Sequence, residues 1–332
     1  MYLVETYPLA IAFCVITMLC WGSWANTQKL ASSHWRFELF YWDYTLGILL
    51  FSLLLAFTLG SNGDLGRSFF DDYEQAERSN LQSALIGGAV FNLANILLVA
   101  AIAIAGMSVA FPVGIGIALI LGVLVNYLDR PEGNPTLLVV GVALIAVAIV
   151  LNANAYRRLS SGNQGVSTKG LLLSVVAGVL MGFFYKYVAN SMVTDFALPE
   201  AGKLTPYTAL VFFAIGIVLS NLVLNTILMY KPFVGEPTHF AAYFSGSTKD
   251  HLMGVLGGVI WNIGMSFSII ASGKAGPAIS YGLGQGATVV AAIWGIFIWK
   301  EFKNAPTGTS KVLNLMLLLY VIGLAFLIMA RG

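Results

Sequence analysis

A chain of 332 residues with 58% hydrophobic and 10% charged residues cannot clothe a water-facing surface, for which roughly 25% charged residues would be usual. Its mean hydropathy of +0.83 requires most of that surface to face lipid. A formal charge of +2 is too small to imply a nucleic-acid partner.

Ten apolar runs are long enough to cross a bilayer, at 4–25, 39–60, 84–104, 107–128, 136–154, 169–190, 205–229, 251–272, 276–299 and 312–330. The first is not a secretory leader, because it follows Glu5 with no basic stretch before it. It carries both cysteines, Cys14 and Cys20. On a helix these lie about 9 Å apart along the axis, too far for a bridge, and they read as packing residues. Runs three and four are interrupted only at Ala105-Gly106, and runs eight and nine only around Gly273, Gly276 and Pro277. Tight hairpins or discontinuous helices are expected at both places.

Two blocks 170 residues apart are versions of one another: GGAVFN at 87–92 and GGVIWN at 257–262. The match continues with Gly106 on Gly276, Gly114 on Gly284 and Gly116 on Gly286. The expected organisation is therefore a first half over 1–155, a short link over 156–168 and a second half over 169–332. With five spans per half, the second copy would enter the membrane in the opposite sense, giving an all-α integral membrane protein of ten transmembrane helices in two inverted five-helix repeats. Such internal duplication is the signature of a transporter whose solute binds between the repeats. Ten Lys and Arg residues fall in the odd-numbered connections and six on the other side. That bias places the 155–169 link in the cytoplasm and both termini outside, in a cell (inner) membrane.

Polar groups within spans are costly in lipid and mark cavities or helix contacts. Helical spacing groups Trp21, Trp24 and Gln28 on one face, Asn92 with Asn95 on another, and Tyr281, Gln285 and Thr288 on a third. Trp261 precedes Asn262 in the eighth run. Amides beside aromatic faces suit a solute with several hydrogen-bonding edges. The asparagines can equally join helices, and the tryptophans can equally anchor at an interface. Asp43, early in the second run, is the candidate carboxylate for proton coupling, and Lys186 is a second cavity candidate that can instead snorkel. His34, His239 and His251 show no metal-ligand spacing. GLGQG at 282–286 lies inside an apolar run, so it is not a dinucleotide loop; its Gly282 and Gly286, like Gly178 and Gly182, fit close helix packing.

On these motifs the chain resembles the drug/metabolite transporter superfamily over nearly its whole length. MYLVE at 1–5, YWDYT at 41–45, AFTLG at 56–60 and the block from GGAVFN through VNYLD at 129 are similar to the ureide permeases. CWGSWANTQKL at 20–30, GVIWNIG at 258–264 and the segment 276–303 are similar to the glucose/ribose porters and rhamnose symporters. The resemblance implies two inverted five-helix repeats around a central cavity and uptake of small polar solutes, usually with protons. Plant ureide permeases carry a long central loop with a phosphate-loop-like motif, which this chain lacks. The expected activity is a secondary permease importing a ureide or nucleobase, with a monosaccharide as the alternative solute; export of metabolites or drugs and membrane-bound enzymology rank below these. The implied partners are the solute and the bilayer, with a homodimer left open, and no cofactor is expected beyond a coupling ion, proton or sodium.

Overall fold

The computed structural model describes residues 1–159 and 167–331, without the side chains of Met107 and Ser108. Most of the polar link expected at 156–168 lies outside the described residues. Helices α1 (Tyr7–Ser23), α2 (Asn26–Leu30), α3 (Phe37–Phe57), α4 (Phe69–Gln75), α5 (Arg78–Ala105), α6 (Met107–Asp129) and α7 (Pro135–Leu159) make the first half. Helices α8 (Thr168–Ser191), α9 (Pro206–Tyr230), α10 (Phe240–Phe244), α11 (Thr248–Ala275), α12 (Pro277–Gly284), α13 (Ala287–Ile293) and α14 (Thr309–Met329) make the second.

Nine helical segments among the described residues are long and apolar enough to cross a membrane, and α1 is a shorter apolar helix of 17 residues. The chain is a multi-pass, all-helical membrane protein. The first apolar run differs from the continuous span expected. It breaks after Ser23, turns through Trp24 and Ala25, and resumes as α2, which carries Gln28. The ninth run is also divided. Its α-helix stops at Gly284, turns through Gln285 and Gly286, and restarts as α13 before a π-helical turn over Trp294–Ile298. There the backbone amides of Gly286, Thr288 and Val289 reach back only three residues, which is the tighter 3₁₀ bonding of a local break.

Both expected hairpins are present and have the same form. Gly106 closes α5 and opens α6 at φ +80, and Gly276 closes α11 and opens α12 at φ +79. A side chain is strained at these angles, so glycine permits a reversal in one residue. Pro277 then occupies the first position of α12, where a missing N–H costs nothing.

The repeated glycines explain how the long helices approach one another. A Cβ at Gly88 would run into the carbonyl of Phe213 and stand 2.9 Å from the amide of Ile217 on α9. A Cβ at Gly258 would run into the carbonyl of Tyr44 and stand 2.9 Å from the amide of Ile48 on α3. The two crossings, α5 on α9 and α11 on α3, therefore have the same construction. The same correspondence recurs at their ends, where Asn80 donates to the Gly202 carbonyl at 2.8 Å and Asp250 accepts from the Ser32 amide at 2.7 Å. Gly178 and Gly182 press α8 onto α6, with Gly114 and Leu121 beneath them.

Contacts among the connections define two ends of the bundle. At one end the N-terminal amine meets the Leu65 carbonyl, Arg67 donates to the carbonyls of Pro199 and Lys203, and Arg331 pairs with Glu132. Both chain termini are thus at this end. At the other end Lys29 pairs with Glu301, Tyr156 donates to Glu301 at 2.8 Å, and Arg36 donates to the Glu236 carbonyl.

Candidate functional site

Between the two halves lies a cavity of about 340 Å³. The broken segments supply much of its wall: Trp21, Trp24 and Gln28 come from the interrupted first run, and Gln285, Ala287 and Thr288 from the interrupted ninth. Helix α5 adds Phe91 and Asn95, α8 adds Met181 and Phe184, and α11 adds Trp261. No Asp, Glu, Lys, Arg or His is among these lining residues. The volume suits a solute the size of one ring with its substituents.

The wall is aromatic with three amides set into it. Trp21 and Trp261 stack with ring centroids 5.8 Å apart and planes 14° apart, and the Trp21 indole donates to the Trp261 carbonyl at 3.1 Å. Phe91 packs on Trp261 at 4.4 Å, and Trp24 on Tyr44 at 4.7 Å. Asn95 is held by its own neighbour, donating to the Tyr41 hydroxyl at 3.0 Å. Gln28 and Gln285 line the cavity with no protein partner for their carboxamides among the described residues. They come from opposite halves of the chain and offer a solute both donors and acceptors.

A second space of about 510 Å³ adjoins the first, sharing Gly22, Ala25, Phe111, Thr288 and Ala291 with it. It leads to Lys29, Tyr156, Trp299 and Glu301. The cavity therefore lies next to a space that reaches the end of the bundle opposite the termini. On the terminal side, Phe184, Tyr185 and Tyr281 form a layer of buried rings.

The structure brings Trp21, Trp24, Gln28, Asn95, Trp261 and Gln285 together around one space. It places the other candidate residues elsewhere. Asn92 donates to Ser220 on α9 at 2.9 Å, and Asn262 donates to Ser52 at 2.7 Å and to the Ile48 carbonyl at 2.9 Å on α3. Both asparagines are fully buried at helix crossings. Tyr281 is buried one turn before Gln285, its hydroxyl 3.1 Å from the carbonyls of Ala118 and Met181. Lys186 lies at the terminal end, paired with Asp129 at 2.7 Å. Phe91, Phe184 and Met181 also line the cavity, as does Thr288, which helical spacing groups with Gln285. Apart from Thr288, they carry no polar signal that distinguishes a cavity wall from a core.

Asp43 lies outside the cavity, between α3 and α11 and against α10. Tyr243 donates to its Oδ1 at 2.7 Å, and His251 Nδ1 is 2.8 Å from its Oδ2. Burial and the adjoining Asp43 carboxylate push the Tyr243 phenol above its ordinary range, so the hydroxyl remains a donor. His251 is 208 residues from Asp43 in the chain, which is why spacing could not link them. No group of three or more His, Cys, Asp or Glu side chains that could hold a metal ion occurs among the described residues.

A helical membrane bundle enclosing an uncharged, amide-bearing cavity between its halves is the architecture of a solute transporter. The family described as sugar transport protein matches residues 12–330, and the chain belongs to that family. Ureide permease 1 of Arabidopsis thaliana is 24% identical, with 100% of this chain and 99% of the relative covered. The glucose uptake protein GlcU of Staphylococcus xylosus is 25% identical over 78% of each. The L-rhamnose-proton symporter of Yersinia pestis bv. Antiqua (strain Antiqua) is 32% identical over 41% of this chain and 43% of the relative. One crystal structure shares the fold at a TM-score of 0.61 and 16% identity, covering 96% of both chains. The protein is a transporter.

Proposed function

We propose that this protein is a secondary permease that carries a small, uncharged polar solute across the membrane by alternating access between two inverted five-helix repeats. The observation that carries this reading is the cavity between the halves, where unpartnered Gln28 and Gln285 carboxamides flank a stacked Trp21–Trp261 wall with no ionic group. An ionised solute would leave water for a wall offering no counter-charge, a cost of several kcal/mol even after relaxation. A neutral ring loses far less and recovers it through stacking and amide hydrogen bonds.

The tenth span of the proposed topology is the interrupted α1–α2 segment. With the 155–169 link in the cytoplasm, the space at Lys29, Tyr156 and Glu301 lies on the proposed cytoplasmic side. Asp43 is the proposed coupling carboxylate, and protons are the proposed coupling ion. The preferred solute is a planar ureide or nucleobase, in keeping with the full-length similarity to ureide permeases. A monosaccharide is the second reading, favoured by the family match and by tryptophan walls, on which sugar C–H faces also pack.

Thermal unfolding of the purified protein with uracil, allantoin, D-glucose and L-rhamnose tests the solute class. A solute at about 100 times its Kd stabilises the folded form by about 2.7 kcal/mol, a readily measured rise in Tm. Stabilisation by uracil or allantoin is expected. Stabilisation by the sugars alone would transfer the assignment to the second reading, and stabilisation by charged analogues would contradict the neutral-cavity argument.

A further inference from the structure

The duplicated architecture supplies an internal control for the group around Asp43. The α3 and α9 crossings superpose Tyr44 on Phe213, so the position matching Asp43 is Phe212. At the 170-residue spacing of the remaining elements, Tyr243 matches Tyr73 and His251 matches Leu81. At the matching junction Tyr73 on α4 stacks on Phe212 on α9 with centroids 5.8 Å apart and planes 14° apart. One junction thus holds two stacked rings, with a leucine at the position matching His251, whereas its counterpart holds a carboxylate, a phenol and an imidazole. Packing this corner of the fold does not need titratable groups.

The polar junction also has a path to water. The Asp43 side chain is only 5% exposed, but the His251 side chain touching it is 29% exposed. Trp35 and Tyr243 set the imidazole edge-on at 5.1 and 4.9 Å. A Cβ at Gly246 would stand 2.8 Å from Nε2, so glycine keeps a side chain off that nitrogen. The other charges nearby are engaged elsewhere. Arg36 is held by Glu38 and the Glu236 carbonyl, Asp250 by Ser247 and Ser32, and Lys29 by Glu301, while Lys249 is exposed to solvent. From α10 only Tyr243 faces the carboxylate.

We propose that His251 is a proton relay that loads and unloads Asp43, with Tyr243 reserving Oδ1 so that exchange occurs at Oδ2. Water protonates Nε2, giving the imidazolium. The Nδ1–H bond then breaks toward Oδ2, leaving a neutral imidazole and a carboxylic acid, and the reverse sequence discharges the site. Asp43 belongs to the first half and His251 and Tyr243 to the second, so the charge on the pair bears on the contact between halves. The neighbouring Tyr44 packs on Trp24 and Trp261 of the cavity wall, with centroids 4.7 and 6.5 Å apart, which connects the relay mechanically to the solute. The inference rests on the proton-coupled permease reading.

The test uses the full chain in proteoliposomes with uracil, allantoin, D-glucose and L-rhamnose as probes. Solute counterflow at equal pH reports movement without net proton transfer, and accumulation under a pH gradient reports coupling. His251→Asn keeps a hydrogen-bonding group beside Asp43 but cannot titrate. It is expected to retain counterflow within about threefold of wild type and to lose at least tenfold in gradient-driven accumulation, with Asp43→Asn behaving alike. Undiminished accumulation by His251→Asn would overturn the relay. Counterflow without gradient-driven accumulation in the wild type would overturn proton coupling, and absence of counterflow for every probe would overturn the permease reading itself. If His251→Asn does not fold, Tyr243→Phe takes its place: weakened accumulation with counterflow kept supports the site, and unchanged accumulation overturns it.

Discussion

Two glutamines and three asparagines in this protein share a functional group but not a role. Asn92 and Asn262 spend their amide hydrogens on Ser220 and Ser52 across helix crossings, and Asn95 spends its own on Tyr41. Gln28 and Gln285 line the cavity without protein partners among the described residues. Replacing a joining residue should therefore cost stability, and replacing a cavity residue should cost affinity. Asn262→Ala is expected to lower unfolding stability by about 1 kcal/mol, the scale of interhelical hydrogen bonds in membranes, as read from denaturation in mixed micelles. Gln285→Leu is expected to leave Tm unchanged and to weaken solute binding about tenfold, the equivalent of one net hydrogen bond of about 1.4 kcal/mol, as read by titration calorimetry. Helical spacing grouped Trp21, Trp24 and Gln28, and they line one space although the helix breaks between Ser23 and Asn26. It could not separate Asn92 from Asn95, since both point inward and only the partner helix decides which one reaches the cavity. Nor could it join Asp43 to His251, whose contact is created by the folding of one half onto the other.

At the scale of elements, helix approach is set by glycine, and the helix breaks supply much of the cavity wall. Gly88→Ala and Gly258→Ala should each push a Cβ into the backbone of the facing helix. Backbone cannot move aside as a side-chain tip can, so each is expected to cost at least about 2 kcal/mol, within the range for overpacked interiors. Comparable losses from the two substitutions, measured by thermal unfolding, would reflect the shared construction of the α5–α9 and α11–α3 crossings. Unequal losses would show that the crossings differ energetically despite their matched geometry. The hairpins at Gly106 and Gly276 were legible in the sequence because glycine followed by a new apolar run has few other readings. The breaks at Ser23–Asn26 and Gly284–Ala287 were not. Hydropathy is continuous through both, and each interruption is stabilised by tertiary contacts, such as the Trp21 indole on the Trp261 carbonyl and Thr288 on the Tyr320 hydroxyl.

For the whole molecule, the sequence duplication corresponds to helix crossings of matching construction. Composition established membrane residence, and the 170-residue repeat located the equivalent glycines. The repeat did not reveal where the halves differ, because substitution at one site is ordinary divergence until the neighbours are known. The contrast between Tyr73–Phe212 and Tyr243–Asp43–His251 emerges only once α4 and α10 are seen against α9 and α3. The cavity lies beside a second space that reaches Lys29 and Glu301, and it rests on buried rings at the other end. The most direct test of a solute pathway between the halves is counterflow in proteoliposomes, using whichever probe raises the Tm and comparing wild type with Gln285→Leu. Saturable counterflow by the wild type, with KM raised about tenfold in the folded variant, is the expected result. No counterflow of a solute that binds, or identical kinetics in Gln285→Leu, would contradict transport through this cavity.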